Sequence, residues 1–300
     1  MSEQSKPSTQ PRPKYVIYAP SYDEDNGGAI FLHLLAETLI DLGEDAVLYQ
    51  MEPIYELGRL LKLWNAVIPP RFDRLPGARA KVVTRKELTP DSIVVYPEIV
   101  PGNPLGLRNI ARWLMYKPGV LHAYLPTENE LTFSVGPFSD EPARKGELPR
   151  LFLWRVNPAY VNRGREDRSG SCYLMRKGEA RQALHDLSDS VQIDGMSHSE
   201  IAEVFNAKEF FYSYDEATMY SQFAALCGCT SIVVPDLFES EKDYFTSRPI
   251  AQYGIAFGET GIPHARATMH LVRDQLRKME EEGRETVVNF VRLTKESFGF

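Results

Sequence analysis

Only three of the 300 residues are cysteine, Cys172, Cys227 and Cys229. So small and odd a count gives no paired disulfide framework and points to a reducing compartment. Neither C-x-x-C nor H-x-x-x-H occurs, so the six histidines offer no zinc spacing and no metal site is expected. No run approaches the ~18 apolar residues that span a bilayer. The opening, MSEQSKPSTQPRPK, has no apolar stretch of the kind that drives secretion, and residues 1–13 are expected to form a disordered tail. A net charge of −7 without a basic block argues against a generic nucleic-acid partner. The dinucleotide fingerprint G-x-G-x-x-G, the phosphate loop G-x-x-x-x-G-K-[ST] and the hydrolase elbow G-x-S-x-G are all missing. The expectation from these absences is a soluble cytoplasmic protein, with oligomerisation left open.

What is present is an ordinary globular composition. Hydrophobic residues make up 43% and charged residues 25%, enough for a substantial core without covalent staples. The length suits one large domain or two of usual size. Strand-like runs alternate with helix-like patterns, which predicts β-α-β units and parallel sheets. The runs KYVIYAP, DAVLYQ and DSIVVYPEIV read as strands, and GGAIFLHLLAETLIDLG reads as a helix closed by Gly43. PLGLRNIARWLMYKPG reads as a second helix, and residues 125–150 as a long loop near a domain boundary. In the second half, SCYLM, SVQID, KEFFYSY and TSIVVP read as strands. Ser197 with Glu200 forms a capping box for the helix SHSEIAEVFNA. DEATMYSQFAALCG reads as a helix, and the stretch from Ala265 to about Leu293 as mostly helical, with a break at Gly283. The expected domains are residues 14–150 and 151–300, each a Rossmann-like α/β unit.

The tetrapeptide SYDE occurs twice, at Ser21–Glu24 and Ser213–Glu216, each time between a strand and a helix. Ligands of open α/β sheets sit beyond the carboxyl ends of the strands, where both copies fall. Gly27 and Gly28 open the first helix. They suit either a phosphate at a helix N-terminus or a plain tight turn. Asp23–Asp25 matches D-x-D, but beside two glycines it reads as a turn. Arg176-Lys177-Gly178 follows a strand. The two cations suit a diphosphate, or form a solvated pair beside Glu179. Asp215 and Glu216 suit sugar hydroxyls, or simply the positive end of a helix dipole. Tyr214 offers a stacking surface or a core aromatic.

The segment FFYSYDEATMYSQFAALCGCTSIVVP resembles the nucleotide-sugar-binding segment of retaining glycosyltransferases with the two-Rossmann GT-B fold. CYLMRKG resembles the strand and basic pair that contact the donor diphosphate, and GGAIFLHLLAETLIDLG the glycine turn and first helix. The likeness extends to a family 4-like, bacterial polysaccharide-type subset. It implies two domains facing an interdomain cleft, a nucleotide-diphosphate-sugar donor, no metal or other cofactor, and a glycan or small-molecule acceptor. It implies donor contacts from Arg176, Lys177, His198, Tyr214, Asp215, Glu216 and Thr218, with Asp215 in the catalytic role; Gly27 and Gly28 are also expected to be binding residues, in a first half that presents the acceptor near them and Glu98. One departure stands out. The family's second acidic position, eight residues after the first, holds Phe223, so Gln222, Ser221 or Glu216 would have to replace the ribose contact. That departure gives weight to a rival, a silent nucleotide-sugar or glycan-binding protein. An oxidoreductase and a sugar-nucleotide epimerase are further alternatives.

Overall fold

The structure, a computed structural model, describes residues 12–52, 71–136, 139, 147–178, 181–216 and 218–300; the side chain of Lys177 lies outside that set, as does nearly all of the expected tail. The chain forms two compact units, Met1–Trp154 with Glu281–Phe300, and Arg155–Glu280. Residues 281–300 therefore belong with the first unit, where the sequence placed them in the second.

The first unit is built on a six-stranded sheet. Its strands are β1 (Lys14–Ala19), β2 (Asp45–Gln50), β3 (Lys81–Val83), β4 (Ile93–Pro97), β5 (Asn109–Leu114) and β6 (Leu131–Ser134), in spatial order β3-β2-β1-β4-β5-β6. All pairings are parallel. Alternate residues of β1 face opposite sides of the sheet. Tyr15, Ile17 and Ala19 join a core with Leu35 and Leu39 of helix α1 (Gly27–Asp41), while Val16 and Tyr18 join another with Val94 and Tyr96. A strand buried on both faces needs this continuous apolar run.

One expected helix is a strand. β5 lies inside the stretch read as a helix from Pro104, where Gly106 has φ +65°. Its interior arginine, Arg112, is fully buried and pairs with Glu130 at 2.9 Å. It also donates to the carbonyls of Val100 and Gly102. A buried charge is tolerated when paired and hydrogen-bonded. The pairing partner sits 18 residues away, so the sequence displayed only an apolar stripe interrupted by a cation.

The second unit has five parallel strands, β7 (Ser171–Leu174), β8 (Ser190–Gln192), β9 (Phe210–Ser213), β10 (Thr230–Val233) and β11 (Ile255–Phe257), ordered β11-β10-β9-β7-β8. Helix α2 (His198–Ala207) begins at Ser197, whose side chain accepts from the Glu200 N–H while Glu200 reaches back to the Ser197 N–H. Helix α3 (Tyr220–Leu226) starts five residues after Asp215, so Asp215 and Glu216 precede the helix instead of occupying its first turn. Helices α4 (Glu241–Ser247) and α5 (Ile262–Thr268) follow. Helix α6 (Val272–Phe298) runs through Gly283 without a break. A Cβ at Gly283 would stand 3.1 Å from the Phe152 carbonyl, so glycine there permits close packing of the helix on the 152–154 segment. Among the described residues, no helix is long and apolar enough to cross a membrane.

Candidate functional site

In the second unit, β8 lies on one side of β7, and β9, β10 and β11 lie on the other. The connections leaving β7 and β9 therefore diverge, and the topological switch point lies between their carboxyl ends. Leu174 pairs with Ser213 at those ends, and the Tyr214 N–H donates to the Leu174 carbonyl at 2.9 Å. Met175–Gly178 and Tyr214–Glu216 thus leave the sheet side by side. A Cβ at Gly178 would fall 2.5 Å from the Tyr214 carbonyl oxygen. Glycine is what lets the two segments touch.

Arg176 is exposed and holds φ +38°, a left-handed conformation that side-chain-bearing residues rarely adopt. Asp194, just beyond β8, fixes it: one carboxylate oxygen accepts from the Met175 N–H at 3.0 Å, the other from the Arg176 N–H at 2.9 Å. The Arg176 guanidinium lies 5.6 Å from the centroid of the Tyr220 ring.

The acidic pair divides. Glu216 is 5% exposed, and its two oxygens accept from the Asp236 and Leu237 N–H groups at 2.9 Å each. It braces the turn after β10. Asp215 is equally buried, and the Ser213 hydroxyl donates to its backbone carbonyl. Tyr214 is a core residue: its hydroxyl accepts from the Leu184 N–H and bonds His185 Nδ1, and Arg181 covers its ring at 5.2 Å. Arg181 went unnoticed in the sequence. Its guanidinium donates to the carbonyls of Tyr214, Val234 and Pro235, tying the ends of β9 and β10 together. The Thr218 hydroxyl accepts from the Tyr220 N–H at 3.3 Å, at the entry to α3.

His198 begins α2. Its Nδ1 bonds the Tyr160 hydroxyl, and its ring stacks on Tyr220 with centroids 5.7 Å apart. Phe223 is 6% exposed and belongs to the same aromatic cluster. Arg176, Tyr220, His198, Tyr160 and Phe223 form a continuous chain of ring contacts. Ser221 and Gln222, the proposed substitutes for the missing acid, are both buried, each with a side-chain oxygen that has no hydrogen-bond partner among the described residues.

In the first unit the switch point falls between β1 and β4. Here Asn26 caps α1, its side chain accepting from the Gly28 and Ala29 N–H groups at 3.0 and 3.2 Å. Two of the N–H groups that a phosphate would use are therefore occupied. Glu98 follows β4 and accepts from the Met115 N–H at 3.0 Å; burial raises its pKa above the usual carboxylate range. In the D-x-D stretch, the Asp23 carboxylate accepts from the Asp25 N–H, the mark of a turn. The two SYDE copies have equivalent positions and opposite surroundings: Ser213–Glu216 is buried throughout, while Asp23 and Glu24 are exposed.

Among the described residues, no three His, Cys, Asp or Glu side chains converge to hold a metal. Comparison with known proteins finds no family model that matches the chain and no curated protein that matches it.

Proposed function

We propose that the protein is a metal-independent glycosyltransferase of the GT-B type, transferring a sugar from a nucleotide-diphosphate-sugar donor to a glycan or small-molecule acceptor. The observation that carries this reading is the convergence of Arg176 and Asp215 on neighbouring strand ends at the switch point of the second unit. A cation and a buried carboxylate carried on neighbouring strand ends match the two parts of such a donor. Arg176, with Lys177, offsets negative charge that develops on the leaving diphosphate, where a fixed positive group is worth most. Asp215 orients donor hydroxyls and steadies the electron-poor anomeric centre. In this reading the first unit, near Gly27, Gly28 and Glu98, presents the acceptor.

Phe223 favours a second reading, a binding protein that keeps the donor site without turnover. It leaves no carboxylate at that position for the ribose. A thermal-shift panel of UDP-, GDP- and dTDP-sugars tests both. A ligand at 100 times its Kd adds about 2.7 kcal/mol of stability. Stabilisation with sugar release or transfer supports the enzyme, and stabilisation without either supports the binding protein. No shift with any donor removes both.

A further inference from the structure

The backbone of Arg176 is held in a costly conformation by a carboxylate from another strand end. The Asp194 carboxylate takes the N–H groups of residues 175 and 176, one on each oxygen. Asp194 itself is steadied by the Gln192 side-chain amide at 3.1 Å. At the far end of the side chain, the guanidinium rests against the Tyr220 ring, and that ring is stacked on His198. The arginine is thus fixed at its root and at its tip. Among the described residues its guanidinium makes no ion pair, although Arg163, Arg165 and Arg266 of the same unit all do. A strained residue persists when its surroundings over-determine it, and such strain is stored where geometry matters.

We infer that Asp194 and Tyr220 are positioning residues that hold Arg176 ready for a diphosphate anion. The inference deepens the donor-site reading and rests on it. Neither residue touches the anion; each acts through the arginine. Pre-ordering spares the long side chain the loss of rotamer freedom on binding. The ring face leaves the N–H edges of the guanidinium free to make paired hydrogen bonds to phosphate oxygens.

Electrostatics gives the test its sign. Asp194 is an anion close to an anion site. If charge alone mattered, Asp194→Asn would tighten anion binding. If positioning matters, the same change weakens it, because the neutral side chain keeps only one acceptor oxygen for two N–H groups. Inorganic pyrophosphate titrated calorimetrically into the full-length protein and its variants separates the two. The expected result is about fivefold weaker binding for Asp194→Asn, the weight of one hydrogen bond. Tyr220→Phe, which keeps the ring, binds like the wild type, and Tyr220→Leu binds more weakly. In an Arg176→Ala background neither Asp194→Asn nor Tyr220→Leu has any further effect. Should Asp194→Asn fail to fold, the Tyr220→Leu and Arg176→Ala cycle decides instead. Tighter or unchanged binding in Asp194→Asn, equal losses with and without Arg176, or no pyrophosphate binding by the wild type each overturns the inference. Pyrophosphate bound through Arg176 with no affinity for any nucleotide sugar would leave this inference standing and sink the glycosyltransferase reading. Sugar transfer without coupling in the cycle would do the reverse.

Discussion

Tyr160 and Phe223 stack face to face, with ring centroids 4.2 Å apart and planes 9° from parallel. Both rings are buried. The position where the family resemblance expects a second carboxylate is thus part of the aromatic core of its unit, and it is filled for packing.

That fixes what restoring the acid would do. Phe223→Glu puts a carboxylate into a buried ring stack, so it destabilises the protein more than Phe223→Leu does. Truncation to alanine costs about 3–5 kcal/mol, the usual range for a buried phenylalanine. Urea denaturation of the three variants gives the order Leu, then Ala, then Glu in rising loss. A Phe223→Glu variant as stable as the wild type and tighter for donor would show that the site keeps a place for the carboxylate.

Asp215 and Glu216, adjacent and equally buried, are predicted to behave differently. Glu216→Ala removes two hydrogen bonds from a buried carboxylate to the N–H groups of Asp236 and Leu237, and bonds to charged groups are each worth about 1.5–3 kcal/mol. Its denaturation midpoint falls whether or not donor is present. Asp215→Asn lowers turnover on the order of 100-fold, the scale for losing one electrostatic contact in a transition state. Donor affinity changes little. Full activity in Asp215→Asn would reduce that residue to a turn-former.

Much of this architecture was readable because the strands announce themselves. KYVIYA and IVVYP are continuous apolar runs, and Ser197 with Glu200 marks a helix start by residue type and spacing alone. The paired sheets followed from the alternation. The losses occurred where a residue answers to something remote. Arg112 is intelligible once Glu130 is beside it, and Asp194 once the backbone at 175–176 turns toward it. β6 has four residues, too few for periodicity to show, inside a stretch whose prolines suggest a loop. Tyr214 read equally well as a stacking surface or as core. Only its contacts with Leu184, His185 and Arg181 make it core.

Gly178 is predicted to be the least replaceable residue at the switch point. Alanine there needs its Cβ at 2.5 Å from the Tyr214 carbonyl oxygen and 2.9 Å from the Tyr214 Cβ. Backbone cannot swing aside as a side-chain tip does, so the segment after β7 must move off the segment after β9. Overpacking of this kind costs about 1–3 kcal/mol. The displacement also carries Arg176 away, so Gly178→Ala weakens pyrophosphate binding along with stability. Gly27→Ala is the control, since nothing lies within 4 Å of its added Cβ. If the two variants unfold at the same urea concentration, the close approach at Gly178 does not matter to the fold.

His33 supplies a pH dependence of known sign. It is buried in α1, with Nδ1 accepting from the Leu75 N–H at 3.3 Å and Nε2 bonded to the Pro20 carbonyl at 3.0 Å. The rings of Phe72 and Tyr22 pack against it. This pattern fixes the neutral tautomer with its proton on Nε2. Burial pushes the His33 pKa below its ordinary value, against smaller upward effects from the Pro20 bond and the Glu37 charge. The unfolded chain therefore binds a proton more readily than the folded one. The stabilising contribution is complete above the unfolded value of about 6.5 and is lost as pH falls through the depressed folded value. Each unit of depression corresponds to about 1.4 kcal/mol. Protonation also turns the acceptor Nδ1 into a donor facing the Leu75 N–H, which loosens the segment that leads into β3, while Nε2 goes on donating to Pro20. Urea midpoints measured from pH 8 to pH 5 should fall more steeply for the wild type than for His33→Gln, which cannot titrate. Parallel curves for the two proteins would show that His33 takes no proton on unfolding and that acid sensitivity in this range comes from other groups.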